Sequence, residues 1–262
     1  MRTKNLTELA ANPDLISGIY NYCDRWCERC PFTSRCLVYA TEQEYDDFSP
    51  ESRDISNEKF WQKLASLFHD TAEVISEWAT EAEVDMQPIT PNQDGLRKER
   101  LEQAANRAIS RAGRDYAAAV TNWFSNFSQV VTASDVLEDD DDVHERDLLQ
   151  EVADVIQWYQ YQIAVKTMRA FSSRAMEGDA QELTPDEAYS KDSDGSAKVA
   201  LVGIDRSISS WRVVQTILPE EAVAVVPLIL KLEKLRVATE REFPAARDFI
   251  RPGFDEVLDT QN

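Results

Sequence analysis

Apolar side chains recur at intervals of three and four residues through most of the chain, and no stretch alternates with the two-residue period of a half-buried strand. Phe60, Leu64, Leu67, Phe68, Ile75 and Trp78 fall on one helical face that runs to about Glu83. A second stripe, from Leu101 through Ala108, Ala112, Tyr116 and Ala119 to Phe127, predicts one long helix over 96–130 whose alanines let a neighbouring helix approach closely. The segments 143–176 and 196–217 are apolar nearly all round, which predicts inner helices. A last helix is expected over 220–242, entered at Pro219 and kinked at Pro227. Near the start of the sequence, Asn12, Pro13 and Asp14 carry the chemistry of a helix N-terminus, and that helix is expected to reach about Cys30. Pro31 then breaks it, and Thr33 or Ser34 caps a second helix ending near Tyr45.

Phe48-Ser49-Pro50, the stretch carrying Pro88, Pro91 and Gly95, the acidic run Glu138 to Asp142 and the polar residues 178–195 punctuate these helices as loops. Helices near 35 residues rise about 50 Å and so pack side by side rather than crossing as short pieces. The expected fold class is all-α: a four-cysteine helical hairpin over 1–48, a bundle of about five main helices over 55–243, and a weakly patterned tail over 244–262.

With 262 residues, 43% of them hydrophobic, the chain can build one substantial core or two modest ones. Its 48 acidic against 28 basic side chains give a formal charge of −20, which argues against a nucleic-acid or anionic-membrane surface. Only 7 glycines are present and none form a phosphate cradle, so ATP and dinucleotide sites lack their anchor. No stretch reaches the roughly 18 apolar residues of a membrane span, and the first residues lack a signal-peptide core. The chain is therefore expected in the cytoplasm, with no membrane or nucleic-acid partner.

The candidate chemistry sits in IYNYCDRWCERCPFTSRCLVY, where Cys23, Cys27, Cys30 and Cys36 are spaced C-x3-C-x2-C-x5-C. On a helix the first three would share one face, and Cys36 would return from the start of the next helix, where backbone amides favour a thiolate. Four cysteines so close together in a reducing compartment point to metal ligation rather than disulfides. Three ligands within eight residues suit the wide sulfur cage of a [4Fe–4S] cluster better than the separated knuckles of structural zinc, which is the alternative cofactor. Cys30-Pro31 also repeats the cysteine-proline junction of ferredoxin-type runs. Arg25, Arg29 and Arg35 are placed to offset the site's charge, and Tyr20, Trp26, Phe32 and Tyr39 to shield it.

Cys23, Cys27 and Cys30 share the C-x3-C-x2-C spacing of radical S-adenosylmethionine enzymes. Those enzymes place the motif after the first strand of a β/α barrel and leave one iron open, whereas this chain has a nearby fourth cysteine and no strand pattern, so no activity is taken from them. A fully ligated cluster would serve electron transfer or redox sensing for a protein partner. A zinc-bearing scaffold for protein interaction is the alternative.

A third reading is an enzyme with a remote structural metal. The inner helices carry Asp154, Gln157 and Lys166 on one segment and Asp205 and Arg206 on the other. Buried charge is costly unless paired, so these residues are expected either to line a polar pocket for a small-molecule ligand or to pair between helices. His69 and His144 fall in surface-like settings, which leaves imidazole chemistry without a site. Arg100, Arg107, Arg111 and Arg114 form a basic stripe that carboxylates of the same chain are expected to satisfy.

Overall fold

The structure, a computed structural model, describes residues 8–45, 49, 51, 56–81, 83, 91–131, 140–180 and 192–255. Among the described residues it is all-helical, without a strand. It divides into two compact units, Met1–Pro91 with Arg251–Asn262, and Asn92–Ile250. Of the stretches expected as loops, Phe48, Pro50, Pro88, Glu138, Asp139 and residues 181–191 lie outside the described residues, whereas Pro91, Gly95 and residues 140–142, 178–180 and 192–195 are helical instead.

The first unit holds helices α1 (Leu37–Tyr45) and α2 (Glu58–Glu81). The α2 start is capped by Asn57, whose Oδ1 accepts the Lys59 amide at 3.0 Å. Ahead of α1 the expected helix from Asn12 to Cys30 does not form, and the cysteine segment is not a helical hairpin. Asn12 does accept the Asp14 amide at 3.0 Å, but this start signal closes only a local turn. Gly18 at φ +72° and Arg25 at φ +58° then reverse the backbone twice, which a helix interior does not allow. The chain proceeds instead as three short 3-10 turns, Ile19–Asn21, Cys27–Arg29 and Thr33–Arg35. Ile16 donates its amide to the Arg35 carbonyl at 3.0 Å, and Arg35 Nε donates to the Asp14 carbonyl at 3.1 Å, so the first turn is tied to the last.

The residues expected in the tail also return to this segment. Gly253 stands at φ +74°, and a Cβ there would lie 2.9 Å from Ile16 and 3.0 Å from Ile19. The Phe254 ring meets Phe32 edge-on at 5.1 Å, and Arg251 pairs with Asp255 at 2.9 Å.

The second unit holds α3 (Pro91–Ala105), α4 (Ala108–Val131), α5 (Asp140–Ala180), α6 (Asp192–Ile217) and α7 (Ala222–Glu242). The single helix expected over 96–130 is two, broken at Asn106 and Arg107. Two arginines of the basic stripe meet backbone carbonyls at this break instead of the carboxylates expected: Arg114 donates to the Ala105 carbonyl at 2.8 Å and Arg111 to the Asn106 carbonyl, satisfying acceptors where α3 ends. Arg107 lies over the Phe171 ring at 5.6 Å. Pro91 opens α3, where its missing amide costs nothing.

The inner pair expected from composition is α5 and α6, which pack on each other more extensively than any other two helices. A Cβ at Gly203 of α6 would lie 2.8 Å from Tyr159 and 3.2 Å from Ile163 of α5, so glycine sets this spacing. On another flank, Gly113 of α4 places a virtual Cβ 3.1 Å from the Ala164 Cα. The buried aromatic centre joins α4 to α6: Trp211 Nε1 donates to the Tyr116 hydroxyl at 2.9 Å, and Trp123 meets Trp211 edge-on at 4.9 Å. Pro227 stands inside α7, near an exposed first turn where water can serve the carbonyl it leaves without a donor.

Candidate metal centre

All four cysteines are unoxidised and half-buried. Cys23 follows the first 3-10 turn, Cys27 opens the second, Cys30 closes it, and Cys36 precedes α1 with its carbonyl accepting the Ala40 amide at 3.0 Å. No common helical face brings them together. The reversal at Arg25 and the successive tight turns fold the segment back so that Cys23, Cys27, Cys30 and Cys36 line one pocket open to solvent. Tyr20, Trp26, Tyr39 and Phe254 supply its aromatic wall. Tyr20, Trp26 and Tyr39 are the shields that the sequence suggests. Phe32, the fourth, stands behind Phe254.

The sulfurs already interact with their surroundings. Cys23 Sγ donates to the Tyr20 carbonyl at 3.5 Å, and Cys30 Sγ accepts the Phe32 amide at 3.4 Å. Burial raises the Cys27 thiol pKa above its ordinary value; Glu42 adds to the shift, Arg25 opposes it, and Cys23 and Cys30 add further. Cys27 is thus held as a thiol in the metal-free chain. Among the described residues no three His, Cys, Asp or Glu side chains stand close enough to hold one ion, so the cysteines share a pocket without meeting at ligand distance.

The arginines are committed to structure. Arg25 pairs with Glu42 at 2.6 Å, Arg29 lies over the Trp26 ring at 4.2 Å, and Arg35 ties the turns together as described.

The five residues of the inner polar cluster lie in the second unit. Asp205 accepts Arg247 at 2.6 Å and meets Arg236 at 3.6 Å, while Arg206 donates to the Tyr159 hydroxyl. Asp154 accepts Gln150 Nε2 at 2.7 Å, and Gln157 is exposed. Lys166 is buried, but twelve residues along α5 separate it from Asp154, about 18 Å of helix rise. Asp205 thus meets Arg236 of α7 and Arg247 beyond its end, and Arg206 meets Tyr159 of α5. His69 is exposed beside Glu73 at 3.4 Å, and His144 is exposed.

Sequence reasoning missed Phe254 and the glycine that delivers it. The signal was Pro252-Gly253-Phe254, a turn dipeptide followed by a large aromatic in an otherwise polar end segment. No single helix among the described residues is long and apolar enough to cross a membrane, although α6 and α7, bent by 118°, pass together on length and composition. Comparison with protein-family models, curated proteins and solved structures returns no match to the chain.

Proposed function

We propose that Cys23, Cys27, Cys30 and Cys36 together hold one [4Fe–4S] cluster, and that the protein uses it to pass electrons to, or sense redox state for, a protein partner in a reducing, cytoplasmic compartment. The observation that carries this reading is that four cysteines distributed over three tight turns all line one aromatic-walled pocket. An all-thiol donor set fits an iron–sulfur cluster or zinc and suits harder metals poorly. A bound cluster supplies one-electron redox chemistry. The chain supplies four sulfur ligands, amide donation from Phe32 to Cys30, and an aromatic wall that limits water. Binding requires the thiols to turn toward a common centre and release their protons, at Cys27 against the burial that raises its pKa.

The test is metal and acid-labile sulfide analysis of anaerobically purified protein, with its visible spectrum. Four irons and four sulfides per chain, a brown colour, and loss of both in Cys27→Ser and Cys36→Ser support the reading. Colourless protein with one stoichiometric zinc assigns the site to structural zinc instead, since zinc has no redox chemistry.

A further inference from the structure

The α2 helix turns a row of large apolar side chains to solvent. Trp61 is 53% exposed, Phe68 66%, Ile75 44% and Trp78 59%. With half-buried Leu64 and exposed Thr71, these residues occupy the a and d positions of a heptad repeat: 61, 64, 68, 71, 75 and 78. Such a seam suits another helix rather than a small ligand.

Three observations select the occupant. First, the seam is symmetric about the point between His69 and Asp70. Reversing the helix end for end exchanges Trp61 with Trp78, Leu64 with Ile75 and Phe68 with Thr71, which is the a-to-d pairing of two antiparallel copies. Second, the N-terminal half carries Lys59 and Lys63 with Glu58, while the C-terminal half carries Glu73, Glu77 and Glu81. These charges fall mostly at c and f positions, clear of the seam, so they do not oppose its closure, and antiparallel pairing sets the two helix dipoles against each other where parallel pairing would align them. Third, the exposed parts of the three aromatics and Ile75 amount to roughly 400 Å² per copy, taking about 150–250 Å² for each aromatic side chain. Two such strips with Leu64, Ala65 and Ala72 between them approach the roughly 1,000 Å² that a specific association needs.

We propose that α2 is a dimerisation helix, pairing antiparallel with α2 of a second copy of this chain through Trp61, Leu64, Phe68, Thr71, Ile75 and Trp78. The proposal is independent of whether the cysteines bind metal.

Light scattering of the full chain across 1–100 μM protein, roughly the range in which an interface of this size associates, tests it. The expected mass at the upper end is twice the 29.8 kDa of one chain. Phe68→Glu, and separately Ile75→Glu, weakens the dimer about a hundred-fold while far-ultraviolet circular dichroism and metal content stay unchanged. Trp78→Gln serves as a milder replacement should either charged variant fail to fold. Orientation is read by p-benzoylphenylalanine in place of Trp61, which crosslinks near Trp78 of the other copy. A monomer throughout the range, dimers unaffected by these variants, or crosslinks near residue 61 of the other copy overturn the proposal.

Discussion

Glycine to alanine inside a helix ordinarily stabilises by about 1 kcal/mol, because alanine leaves the unfolded chain less freedom to lose. The second unit offers two helical glycines for which the structure gives opposite signs. At Gly95 in α3 a new Cβ meets nothing within 4 Å, so Gly95→Ala should stabilise by about 1 kcal/mol. At Gly203 in α6 the Cβ arrives 2.8 Å from Tyr159 Cδ1 and 3.2 Å from Ile163 Cγ1. Both are well inside the ~3.5–4.0 Å optimum for carbon pairs. Neither neighbour can yield easily: both are fully buried, and Arg206 holds the Tyr159 hydroxyl from the other end. Relief requires α5 and α6 to separate along the most extensive helix pairing in the protein. The overpacking cost of about 1–3 kcal/mol offsets the propensity gain, leaving Gly203→Ala destabilised by up to about 2 kcal/mol. Urea unfolding followed by near-ultraviolet circular dichroism reads both variants through the buried tryptophans. If Gly203→Ala proves as stabilising as Gly95→Ala, the close α5–α6 approach is not a property of the protein and the packing account is wrong.

The end segment should matter to the cysteine pocket. Gly253→Ala forces a left-handed residue costing about 1–2 kcal/mol and crowds Ile16, so it should loosen Phe254 and, with the proposed cluster bound, speed iron loss in air, as should Phe254→Ala; cluster lifetimes equal to wild type would refute this. Burial pushes Tyr116 from its ordinary 10 up to about 12. Its contribution to stability is therefore complete below pH 10 and disappears as the pH rises from about 10 to 12, a loss of about 3 kcal/mol that Tyr116→Phe should not show. An identical alkaline slope in both proteins would contradict that assignment. For metal-free protein, the raised Cys27 thiol predicts alkylation by iodoacetamide that accelerates only at alkaline pH. Glu42→Gln should move the profile toward lower pH, both by removing an acidic neighbour and by releasing Arg25; an unmoved profile rejects this electrostatic reading.

Periodicity made the long helices legible because each buries a face or a whole circumference. The composition of 143–176 and 196–217 identified the two helices that pair most extensively, but the alanine stripe missed the packed face of α4: Ala108 and Ala112 are exposed, and the close approach is made by Gly113 against Ala164. Where only short-range signals were available, the reading failed. Asn12-Pro13-Asp14 encodes a turn start as well as a helix start, and nothing local showed that Gly18 and Arg25 would adopt positive φ. The break at Asn106 likewise depends on Arg111 and Arg114 reaching back to backbone carbonyls, an interaction that apolar spacing does not register. The cysteine grouping was visible in the sequence, yet the stated reason, a shared helical face, was not the one the fold uses. Residues 251–255 escaped because their partners lie more than two hundred positions away and carry no periodic pattern of their own.

The central claim concerns what the four sulfurs bind, and X-ray absorption at the edge of the metal in anaerobically purified protein examines that ligand shell directly. The account predicts iron surrounded by sulfur alone with further iron atoms in the next shell. Iron bound through nitrogen or oxygen, or a protein that stays metal-free after anaerobic reconstitution, would contradict it.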